Sequence, residues 1–145
     1  MRVLFATLLL FGMAGSSLRA DCAFLGARYA TWVFEGTGGI ALLDSFKRGI
    51  VGTMPGADLI RAIVPLWRAL QAGDSAKADR IHGPLAALIS MQTSLDAFLA
   101  VEKHLLVRQG IFKNTLVRGP VGFRLDDETR REVDRLFDRL MESAG

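Results

Sequence analysis

The chain has a single cysteine, Cys22, so no disulfide can close within it and no cysteine-based zinc site can form. Its two histidines, His82 and His104, stand alone in helical stretches with no ligand partner at i+3 or i+4, and no metal is expected. Lysine is scarce: Lys47, Lys77, Lys103 and Lys113 are all there are, and Tyr29 is the one tyrosine. Neither G-x-G-x-x-G nor G-K-[ST] occurs, which leaves the GTGG of 36–39 as a weak phosphate-cradle signal at best. Excess charge of one sign is also missing. The net charge of +3 comes from 18 basic and 15 acidic residues. In the last helical stretch Arg130, Arg131, Arg135 and Arg139 alternate with Glu128, Glu132, Asp134 and Asp138. Such mixing describes a solvated helix face rather than a phosphate-binding stripe, so no nucleic-acid partner is expected.

What is present is a chain of 145 residues, half of them hydrophobic and 23% charged, enough for one domain with its own core. Residues 1–30 read as a leader apart from the rest. An early Arg2 precedes an unbroken apolar run from Val3 to Gly15, the outline of a secretory signal and too short for a membrane span. Leu18-Arg19-Ala20 makes a poor cleavage region, and Asp21 spoils a lipoprotein reading of Cys22. The expected location is the cytoplasm, with export as the alternative.

From Thr31 the pattern becomes regular. TWVFEG is short, aromatic and β-branched, and reads as a buried strand. Gly38-Gly39 opens a helix that puts Ile40, Leu43 and Phe46 on one face, toward the strands, and that ends on Lys47, Arg48 and Gly49. IVGTM is the second strand, and strand–helix–strand order predicts a parallel βαβ unit over 31–56. Beyond Gly56 the chain reads as helices. The stretch 57–70 has a wide apolar stripe, with Trp67 in it as core and Pro65 as a kink. The next runs over 76–91 with a break at Gly83-Pro84, capped by Asp74 or Ser75. Ser94 caps a third to Arg108, 111–125 is a loop, and Asp126 or Asp127 caps a last helix bearing Val133, Leu136, Phe137 and Leu140.

These pieces resemble, in order and spacing, the carboxy-terminal half of the dihydrodipicolinate synthase and N-acetylneuraminate lyase family. VFEGTGG looks like the family's seventh strand and glycine turn, and RGIVGTMPG like its eighth strand. ALQAGDSAKA is similar to its turn into the helical extension, Lys103, Leu106 and Gly110 reproduce a K-x-x-L-x-x-x-G helix end, and LDDETRREVDRLF resembles the last helix. The resemblance implies an α/β, mostly helical fold over 31–145: the last two βα units of a TIM barrel, a partial barrel, followed by a three-helix extension. It implies class I aldolase chemistry, in which a lysine at the end of the sixth strand forms an iminium with pyruvate or a related 2-oxo acid. No further cofactor is expected.

The residues that would perform that chemistry lie upstream of the matched part. None of the four lysines ends a buried strand, as an amine with a depressed pKa would need to, and Tyr29 precedes the match. The catalytic set is therefore expected to be absent. Part of the pocket wall is expected to remain. By resemblance Gly36 and Thr37, closing the seventh strand, and Val51, Gly52 and Thr53, closing the eighth, face the bound oxo acid, since sites of this fold sit at the carboxy ends of strands. A bland role for the glycines in tight turns is open beside that one. Glu35 ends a strand beside the glycine turn and could be a general base, though it has no visible partner. The chain is expected to be a truncated lyase, inactive alone and prone to associate with itself through open strand edges. The alternative is an exported, self-associating helical module that only binds.

Overall fold

The computed structural model describes residues 32–145; the signal-like leader, Cys22 and Tyr29 lie outside them. Two short strands, β1 (Phe34–Glu35) and β2 (Gly52–Thr53), flank α1 (Leu42–Lys47). A 3₁₀ turn (Ala57–Leu59) leads into α2 (Ile60–Ala72), followed by α3 (Ser75–Ser90), α4 (Leu95–Arg108) and α5 (Asp127–Ala144). β1 and β2 pair in parallel, Phe34 with Gly52 and Glu35 with Thr53, as the strand–helix–strand order predicts. Val51 N–H donating to the Val33 carbonyl (2.9 Å) and Met54 N–H to that of Glu35 (2.9 Å) extend the ladder on either side.

The expected caps form where the sequence puts them. Asp74 accepts from Lys77 N–H at the start of α3, Ser94 from Ala97 N–H at α4, and Asp126 from Thr129 N–H at α5. Each satisfies an amide that the first helical turn leaves without a partner. Gly73 closes α2 in the left-handed region, at φ 72°. The 111–125 segment is irregular throughout. α3 packs against both α2 and α5, and these helices make the core. Leu59 and Leu66 from the α2 side, Ile81, Leu85 and Leu88 from α3, and Val133 and Leu140 from α5 are almost wholly buried, joined by Val101 and Leu105 of α4. Trp67 is partly buried against that core, its ring edge-on to Phe46 at 5.2 Å and 87°.

Three expectations need correction. The first helix begins at Leu42, and Leu42 is its buried anchor. Ile40 sits in the preceding turn and is 38% exposed, while Phe46 is spent on Trp67. Leu43 is partly buried against the core, so the face that packs is rotated from the Ile40–Leu43–Phe46 line. Second, α3 runs unbroken through Gly83-Pro84. A proline inside a helix costs on the order of 3 kcal/mol. Burial of Ile81, Leu85 and Leu88 around it offsets that cost. Third, the first strand is not a buried apolar run. Trp32 is 71% exposed and Phe34 53%, Val33 is half-buried, and only Glu35 is buried. A parallel pair hides its side chains only when further strands and helices cover both faces, and among the described residues the sheet has two strands.

Candidate functional site at the strand ends

Glu35 organises the carboxy ends of both strands. One carboxylate oxygen accepts from the Thr37 backbone N–H (2.7 Å) and from the Thr37 hydroxyl in a very short contact. The other accepts from Gly39 N–H (3.1 Å) and from the Thr53 hydroxyl (2.5 Å). The glycine turn after β1 and the end of β2 are thus tied together through one carboxylate, which is 6% exposed. Burial raises the cost of its ionised form. Hydrogen bonds from the Thr37 and Thr53 hydroxyls and from the Thr37 and Gly39 amides outweigh that cost, so its pKa lies below the ordinary glutamate value.

This arrangement decides between the roles open to Glu35. Four donors fill the acceptor positions of an ionised carboxylate, and a general base needs one of them free. Glu35 is a clamp. The partner invisible in the sequence is Thr53, eighteen positions away and brought in by the parallel pairing.

Of the expected wall residues, the pairing and the clamp bring Thr37 and Thr53 to one carboxylate and place Gly52 opposite Phe34. Gly52 is glycine for a steric reason: a Cβ there would lie 2.6 Å from the Phe34 ring. Gly39 is required twice over, by its φ of +105° and by Ile63 and Leu85, whose methyls would sit 2.7 and 3.2 Å from an added Cβ. Gly36 is exposed with only ordinary contact to Met54, and Val51 is 38% exposed. Chemically the strand ends offer backbone and hydroxyl groups held in place by a buried negative charge. No lysine amine lies among them.

None of the lysines lies on a strand. Lys47 is in the last turn of α1 facing Asp44 at 3.9 Å, Lys77 is in the first turn of α3, and Lys113 is in the irregular segment. Lys103 donates to the Leu116 carbonyl and so ties α4 to that segment. No three or more His, Cys, Asp or Glu side chains group to hold a metal among the described residues, and none of their helices is long and apolar enough to cross a membrane.

Two features went unread in the sequence. His104 Nε2 meets Asp134 Oδ1 at 2.9 Å, across α4 and α5, beside an Arg108 that also reaches Asp134 and Asp138. Asp58, fully buried in the 3₁₀ turn after β2, leaves both side-chain oxygens without a hydrogen bond. Around it Glu102 accepts from Ala57 N–H (3.0 Å) and Gln109 donates to the Asp58 carbonyl (3.0 Å). Burial first, then the neighbouring Glu102, push the Asp58 pKa up to about 6. These contacts span 26 to 51 positions, and no local spacing announces them.

The fold has a counterpart of known structure. The chain is similar to dihydrodipicolinate synthase. A crystal structure of that enzyme from Rhodopseudomonas palustris matches with a TM-score of 0.71 and 28% identity over 82% of this chain. The chain spans 39% of that protein's length. No family model and no curated protein matches it. The likeness supports a relationship, at the level of the fold, to dihydrodipicolinate synthase and through it to the Schiff-base lyases, whose architecture is a TIM barrel.

Proposed function

We propose that this chain is the carboxy-terminal part of a Schiff-base lyase that makes or breaks C–C bonds in 2-oxo acids such as pyruvate. In this reading it carries the last two βα units of a barrel and its helical extension. The observation that carries the reading is the 28% identity and 0.71 TM-score to dihydrodipicolinate synthase over 82% of the chain. The open parallel pair is consistent with it, because Trp32, Phe34, Val51 and Met54 are apolar side chains that a larger sheet would cover.

Within that reading Gly36, Thr37, Val51, Gly52 and Thr53 form one wall of the oxo-acid pocket, and Glu35 positions the two threonines rather than exchanging protons with substrate. An iminium requires a desolvated amine at the end of a strand. No lysine among the described residues occupies such a place, so the chain is inactive by itself. The uncovered strand edges favour association with itself. Borohydride reduction with pyruvate, read by intact mass, tests the assignment of the lysines. The expected result is an unchanged mass. A stoichiometric adduct on Lys47, Lys77, Lys103 or Lys113 would overturn it.

A further inference from the structure

A concavity of about 550 Å³, open to solvent on one side, lies away from the strand ends, between α4, the irregular 111–125 segment and the start of α5. That falls within the roughly 300–1,000 Å³ typical of small-molecule sites. Its lining is mixed: Leu116, Val117, Val121 and Phe123 are apolar, and Thr115, His104, Arg124 and Arg130 are polar or basic, with no acidic residue.

The wall is irregular but pinned. Lys103 holds the Leu116 carbonyl, Asn114 Oδ1 accepts from Leu116 N–H (3.1 Å), and Asp96 Oδ2 accepts from Gly122 N–H (2.7 Å). Arg130 donates to the Leu125 carbonyl (3.3 Å). A segment tied at these points holds its apolar side chains at the open rim of the concavity. Leu116 stays 77% exposed and Val121 41%.

The lining cations differ in what they have left to offer. Arg130 is engaged by Asp127 at 2.8 Å, and His104 by Asp134 at 2.9 Å. Among the described residues Arg124 has no carboxylate within salt-bridge distance. A guanidinium offers five N–H donors in a fork that matches a carboxylate. We propose that this cavity is a binding site for a small amphipathic carboxylate, its apolar body between Leu116, Val121 and Phe123 and its anionic end on Arg124. The site is independent of the strand-end pocket.

Octanoate serves as the probe and octan-1-ol as its uncharged counterpart, titrated against the full chain by ligand-observed NMR. Octanoate is expected to saturate with a Kd on the order of 0.1–1 mM, a modest affinity for a ligand of this size. Arg124→Met keeps the side-chain bulk and should weaken octanoate about tenfold, as the loss of one charge-assisted hydrogen bond implies, while leaving octan-1-ol unaffected. Ala100→Leu fills the α4 side of the cavity and should weaken both probes, with unchanged far-UV circular dichroism showing that the fold survives. Absence of saturable octanoate binding, equal affinity for the two probes, or indifference to Arg124→Met would overturn the proposal.

Discussion

The stability of Asp58→Asn relative to the parent should rise with pH. The carboxyl of Asp58 is fully buried without a hydrogen bond, and its pKa stands at about 6 against 3.8 for a free aspartate. A carboxyl whose folded pKa is raised binds its proton more tightly in the folded state. Its contribution is therefore fully present below about pH 3.8 and declines as the pH rises toward 6. Above 6 the loss is complete, and two units at 1.36 kcal/mol each make it about 3 kcal/mol. Between pH 4.5 and 7.5 the same relation gives a change of about 2 kcal/mol. Asparagine does not titrate, so the variant lacks this slope. Its amide has donors of its own to satisfy, which shifts its stability by a constant at both pH values and cancels in the difference. Other titrating groups, Glu35 among them, also cancel between parent and variant. Urea unfolding of both proteins at pH 4.5 and 7.5, followed by circular dichroism, reads the quantity directly. The stability difference, variant minus parent, should rise by about 2 kcal/mol from the lower to the higher pH. A difference that stays constant would refute the reasoning and mean that Asp58 is solvated or paired.

Glu35 predicts the opposite sign. Its folded pKa is lowered, so its stabilisation is present above the ordinary glutamate pKa of 4.5 and is lost as the pH falls through the folded value. Glu35→Gln should be less stable than the parent at pH 7, with the gap narrowing in acid, a comparison read by thermal unfolding across pH. Two glycines should respond in opposite directions. Gly39→Ala meets Ile63 and Leu85 at a φ of +105° and should destabilise by on the order of 1–3 kcal/mol. Gly83→Ala, in α3 with open space around its Cβ, should stabilise by about 1 kcal/mol, and urea midpoints of the two variants check both.

The parts of the fold legible in the sequence are those fixed by local chemistry. Asp74, Ser94 and Asp126 each cap an amide three residues on, and such a bond needs no tertiary context. The stripe Val133, Leu136, Phe137 and Leu140 is buried because its spacing matches the helical repeat. The parallel order of β1 and β2 followed from the single helix between them. Burial of the strands was not legible, since it depends on neighbours along the sheet: Phe34 carries a strand-like side chain and stands half exposed. Pro84 misled because propensity argues for a break while packing on α2 and α5 holds the helix together. At the candidate site, Thr37 and Thr53 were legible as strand ends. Their common tie to Glu35 was not, because a hydrogen bond across eighteen positions leaves no periodic mark.

The proposed role of residues 32–145, as the closing wall of a Schiff-base lyase whose reactive lysine lies elsewhere, can be put to a graft. Residues 32–145 replace the matching part of the Rhodopseudomonas palustris enzyme, and the product is reduced with borohydride in the presence of pyruvate and analysed by peptide mass. The expected product is a reduced adduct on a lysine of the host portion. A soluble, folded graft that traps no pyruvate while the parent enzyme does would contradict it, and so would an adduct on Lys47, Lys77, Lys103 or Lys113.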